Sequence, residues 1–147
     1  MNLKKTFQVI SYLQYPCILM ALFFLVKPYF NGIEYLTSNF NEIFENLNYV
    51  LIFFGLGISF STLQDTTKTQ NKFSKKIWEN PKKGKRMITI MMLFTFSVLS
   101  FGIFGYFISN NEIINELAFG TIILGIGLIG FLKSGLEIFE NHRKDKN

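Results

Sequence analysis

Long uncharged apolar runs alternate with short charged segments along this chain. Residues 9–26, 47–63, 87–108 and 117–132 contain no Asp, Glu, Lys, Arg or His. With its flanks, each run is long enough to cross a bilayer core of roughly 30 Å as a helix rising about 1.5 Å per residue. The pattern predicts an all-α polytopic membrane protein, a compact four-helix transmembrane bundle with spans at about residues 8–30, 46–64, 87–109 and 113–134. The connections and tails are too short to fold as soluble domains, so residues 1–147 are read as a single membrane domain. A soluble bundle would show polar residues every three or four positions, whereas 87–108 carries only scattered Thr and Ser.

Between the spans the periodicity changes. Ile33, Leu36, Phe40, Ile43, Phe44, Leu47, Val50 and Leu51 recur at helical spacing with Glu34, Asn39, Glu42 and Glu45 between them. This predicts an amphipathic helix running directly into the second span. In the 65–86 connection, Phe73, Ile77 and Trp78 predict a short helix that Asn80-Pro81 stops before the third span. Pro16 predicts a kink in the first span. Gln14 and Tyr15 beside it form a polar notch, which is read as an interface proline whose freed carbonyl a neighbour satisfies rather than as a binding site.

Small residues recur every seven positions: Asn48, Gly55 and Thr62; Thr95, Gly102 and Ser109; Gly120, Gly127 and Ser134. Small side chains let membrane helices approach closely, so Gly55, Gly57, Gly102, Gly120 and Gly127 are the expected helix-packing positions. The chain also repeats. Asn41-Glu42-Ile43 matches Asn111-Glu112-Ile113, and Leu47, Ile52, Gly55 and Gly57 match Leu117, Ile122, Gly125 and Gly127 at the same offset of 70. Tyr29-Phe30 and Tyr106-Phe107 add a match at an offset of 77. Two tandem, parallel helical hairpins would produce this pattern.

Charge assigns orientation. The chain is basic, with 15 Lys and Arg against 10 Asp and Glu. Lys27 alone lies between the first two spans; the other fourteen basic residues precede span one, follow span four or lie between spans two and three. The positive-inside rule then places both termini and the 65–86 connection in the cytoplasm. The acids Glu34, Glu42, Glu45, Glu112 and Glu116 fall on the opposite side. This distribution accounts for the net charge of +5 without a nucleic-acid partner. Lys72, Lys75, Lys76, Trp78, Lys82, Lys83, Lys85 and Arg86 form a candidate patch for anionic lipid or an acidic partner, each cation contributing about 1 kcal/mol. The same charges orient spans two and three, and the two roles are compatible. The basic start lacks a small-x-small cleavage site, so span one is expected to persist as a signal anchor. The Lys, Asn, Ile and Phe bias suggests an AT-rich genome and hence a bacterial cytoplasmic (inner) membrane.

Catalytic, metal and cofactor motifs are not found. Cys17 is the only Cys and His142 the only His, which leaves no disulfide, Cys metal site or pair of axial haem ligands. Proton- and cation-coupled carriers usually hold a charge at membrane depth, and none of the four runs has one. In size and span number the chain resembles small multidrug exporters, but those depend on a Glu in the first span that is missing here. Asp65, beyond span two, is the best of a poor set of candidate catalytic acids. The expectation is therefore a non-enzymatic protein without cofactors: an accessory subunit, stabiliser or immunity-type protein that docks on another membrane protein or on itself. The alternative is a homo-oligomeric pore or carrier, because small holins and channels share its size and basic ends.

Overall fold

A computed structural model describes residues 3–67 and 72–146. Lys68, counted above among the basic residues of the connection, lies outside the described residues. Helix dominates, no strand occurs among the described residues, and four helical segments are long and apolar enough to cross a membrane: Leu3–Asn31, Phe40–Ser61, Pro81–Ile108 and Glu112–His142.

The first segment is interrupted where Pro16 predicts a kink. Helix α1 (Leu3–Ser11) gives way to a turn at Tyr12 and Leu13, and α2 (Gln14–Val26) carries Pro16 in its first turn. Residue 16 has no N–H to offer the Tyr12 carbonyl. Tyr15 N donates to that oxygen instead at 3.1 Å, while Cys17 N donates to Leu13 O at 3.3 Å. A 3₁₀ turn, Lys27–Asn31, then leads to Gly32, whose φ of 86° lets the chain double back.

The amphipathic segment before the second span is not one helix. Helix α3 (Ile33–Ser38) ends at Asn39, whose backbone leaves the helical region at φ −126°, ψ 50°. Both the N–H and Nδ2 of Asn39 donate to the Tyr35 carbonyl, at 3.0 and 3.1 Å. Asn competes locally for backbone groups in this way, which helical periodicity alone does not reveal. Helix α4 (Phe40–Ser61) follows, and α5 (Lys72–Trp78) matches the short helix expected in the connection.

Asparagine caps start both later segments. Asn80 Oδ1 accepts from Lys83 N at 3.1 Å with Pro81 at the first helical position, opening α6 (Pro81–Ile108). Lys82, Lys83, Lys85 and Arg86 therefore belong to a helix rather than to a loop. Asn111 Oδ1 accepts from Ile113 N at 2.9 Å and opens α7 (Glu112–His142), with Glu112 favourably placed in its first turn. At 31 residues α7 is roughly 46 Å long, so it extends well beyond a bilayer core.

The four long segments do not close into the expected compact bundle. Helices α4 and α7 pack side by side in the middle, α2 packs on α4, and α6 packs on α7; α2 and α6 make at most marginal contact. The result is an open row, α2–α4–α7–α6, made of two antiparallel hairpins joined through α4 and α7. Those two central helices run parallel, the direction expected of two tandem hairpins. At one end of the row, here called basal, lie α1, α5 and the last turns of α7.

Candidate functional site

Two seven-residue ladders meet between α4 and α7. A Cβ on Gly120 would abut Asn48, one on Gly127 would run into the Gly55 carbonyl, and the Ser134 hydroxyl reaches Thr62 O at 3.4 Å. Asn48, Gly55 and Thr62 thus face Gly120, Gly127 and Ser134 rung for rung. The Asn48 Oδ1 atom is buried there without a hydrogen-bond partner. Gly102 lies in the other main seam, where a Cβ would stand 2.9 Å from the Ile122 side chain across α6 and α7. Gly57 points to α2, where a Cβ would meet the Ile18 side chain tightly at 3.3 Å and Cys17 and the Gln14 carbonyl at 3.5 Å. Gly125, also singled out by the repeat, faces Leu99 of α6.

The basic residues form one exposed surface at the basal end. Lys72, Lys75 and Lys76 project from α5, and Lys82, Lys83, Lys85 and Arg86 from the first turns of α6; all seven are exposed. Trp78 does not join them. It is only 8% exposed and packs with Met91 and Phe139, flanked by Ile77, Ile88, Leu132 and Ile138. Helix α5 lies against the row with its apolar side inward, which turns its lysines outward and makes Trp78 part of a small core rather than a headgroup anchor. Gly84 is buried beside Phe139, where a Cβ would clash with the ring, so the start of α6 is drawn onto the end of α7.

Ionic contacts hold this end together. Lys144 Nζ lies 2.9 Å from Glu79 Oε2, and Lys144 N donates to the Glu79 carbonyl at 3.2 Å. Lys75 approaches the same carboxylate at 3.6 Å. The hydrogen bond from Lys144, helped by the charges of Lys144 and Lys75, holds the Glu79 carboxyl below its ordinary pKa. Arg143 pairs with Glu140 at 3.2 Å and lies over the Phe139 ring. The chain just after the last rung is fixed in a similar way: Asp65 Oδ1 accepts from Thr67 N at 3.0 Å, and Gln8 Oε1 accepts from Asp65 N at 3.2 Å.

These elements line a partly open cavity of about 370 Å³ between the basal ends of α2 and α6. Apolar walls come from Trp78, Met87, Met91 and Phe131; Gln14, Ser61, Asp65 and Ser134 supply polar groups. The Gln14 side chain is the unusual one. It belongs to a residue only 8% exposed, faces this space, and makes no hydrogen bond among the described residues. The polar notch beside Pro16 marks it in the sequence; the helices that line the space with it are not marked there. No three His, Cys, Asp or Glu side chains converge as a metal site among the described residues.

Compared with known protein families, with curated proteins and with solved structures, the chain matches none.

Proposed function

We propose that the protein is a non-enzymatic integral membrane protein that acts by docking on another membrane component, as an accessory subunit, stabiliser or immunity-type protein. The observation that supports this reading is the open row. Because α2 and α6 each pack along one neighbour only, their outer faces carry unpaired apolar side chains, among them Leu19 at 65% exposure and Phe96 and Phe101 at 73% and 78%. Lipid can cover such faces, and so can the helices of a partner, for which the row offers two free edges. Fourteen of fifteen basic residues on one side support an orientation with both termini in the cytoplasm of a bacterial cell.

A second reading, a homo-oligomeric pore or carrier, draws on the same geometry. A row of four helices has edges through which copies can assemble into a ring. Extraction in mild detergent followed by native mass spectrometry separates the two. A stoichiometric partner of different mass supports the docking role, whereas a homo-oligomer that passes ions or small solutes in liposomes replaces it with the pore.

A further inference from the structure

The basal cavity has the chemistry of a ligand site, and its lining restricts the ligand. Its volume of about 370 Å³ falls within the roughly 300–1,000 Å³ of ordinary small-molecule pockets. That is room for one alkyl chain and a small head, not for a two-chain lipid. The walls are unequal in character. Trp78, Met87, Met91 and Phe131 form an apolar body, while Gln14 and Ser134, with Gln64, Asp65 and Thr66 beyond α4, bring polar groups to it.

Gln14 decides what the head must be. The residue is only 8% exposed and its amide pairs with no protein group among the described residues, so its hydrogen-bonding capacity is open to whatever fills the cavity. An amide both donates and accepts, so its complement is a group that does the same. Ser134 already donates to Thr62 O, which leaves its oxygen as an acceptor toward the cavity. Among the described residues no Lys or Arg lines this space, and a carboxylate, Asp65, does, so an anionic head would meet no countercharge among them. From these groups we infer that the cavity binds a single-chain amphiphile with an uncharged head that donates and accepts hydrogen bonds, such as a hydroxyl or primary amide, with its alkyl chain against Trp78 and Met91. The inference rests on the fold alone and stands or falls independently of the docking role.

The only Trp in the chain forms part of the cavity wall, which supplies an intrinsic reporter. The full-length protein in nanodiscs of unbrominated phosphatidylcholine is titrated with ω-bromododecanol and, at alkaline pH, with ω-bromododecanoate, reading bromine quenching of Trp78. The alcohol should quench saturably, be displaced by unbrominated dodecanol, and half-saturate at a concentration about tenfold or more below that of the carboxylate, the discrimination expected of a buried polar group that is paired in one case and not in the other. Gln14→Leu should remove that preference, and Ser74→Phe, which places a ring in the cavity from α5, should abolish the saturable phase. Quenching that rises linearly with probe in the bilayer, is equal for the two heads and is not displaced by dodecanol would show that Trp78 merely senses lipid and would overturn the assignment. Because displacement is measured on the unaltered protein, the result does not depend on either variant folding.

Discussion

The Leu124 backbone occupies the space that a side chain on Gly55 would need: a Cβ there would stand 2.7 Å from the Leu124 Cα and 2.8 Å from its nitrogen. Gly127, on the next turn of α7, faces the Gly55 carbonyl in return. Helices in lipid gain nothing from leaving water, so contact of this closeness is the main source of their cohesion. The α4–α7 seam is accordingly the structural centre of the row, with each hairpin contributing one helix to it.

Even a single methyl should therefore matter at this seam. Gly55→Ala and Gly127→Ala force backbone against backbone and should each cost about 1–3 kcal/mol, the usual cost of overpacking. Gly57→Ala, which asks only the Ile18 side chain to give slightly from 3.3 Å, should cost less, and Phe101→Leu, at a residue 78% exposed, should be close to neutral. Thermal denaturation of the purified protein in detergent checks the order. Equal stability of the Gly55 and Gly57 variants would refute the account of the seam.

The four apolar segments were legible because run length and absence of charge are strong signals. The seam was legible too, since Asn48, Gly55 and Thr62 and their partners recur every seven residues. The open row was not. Helices that are apolar on every side carry little information about which neighbour they face, and a closed bundle and an open one suit the same pattern equally well. Asn39 shows a second limit: its neighbours keep helical spacing across the break, while its own side chain and N–H both bind the Tyr35 carbonyl. Trp78 shows a third, because a short helix with lysines on one side has an apolar side that lipid or protein can cover. The cavity follows from that packing: Gln14, Asp65 and Ser134 each stand out in the sequence for a separate reason, and nothing in their spacing brings them together.

The ion pair between Lys144 and Glu79 should respond to acid in a defined direction. Because the folded-state pKa of Glu79 is lowered, its stabilising contribution is complete above the ordinary carboxylate range and is lost as pH falls through the folded value. At neutral pH the chain end is thus held to the residue following α5, and strong acid releases it. Glu79→Gln should reproduce the released state at neutral pH. The protection of the Lys144 amide, which donates to the Glu79 carbonyl, against hydrogen exchange should fall in both cases relative to the intrinsic rate at that pH, with little change in overall stability because the pair is largely solvent-exposed.

Orientation is open to a direct measurement. Reporters fused after Asn147 or inserted near Lys76 should read as cytoplasmic, and reporters near Asn39 or Asn110 as external. An external signal near Lys76 together with a cytoplasmic one after Asn147 would overturn the four-span arrangement itself, since α6 and α7 could not then both cross.

The inward position of Trp78 separates two properties that a Trp-anchored basic patch would combine. Replacing Lys82, Lys83, Lys85 and Arg86 with Gln should leave orientation intact, because Lys72, Lys75 and Lys76 remain to mark that side. Association with anionic lipid should fall by orders of magnitude, since four exposed cations at about 1 kcal/mol each are lost, and what remains should depend less on salt. Trp78→Ala should do the reverse. A large side chain removed from a core shared with Met91 and Phe139 should lower stability by about 3–5 kcal/mol, the range for truncating a buried aromatic, while lipid association of the folded fraction stays unchanged. Vesicle flotation with and without anionic lipid, run alongside thermal denaturation, reads both effects. Undiminished flotation of the quadruple variant would leave the basic surface with orientation as its only role.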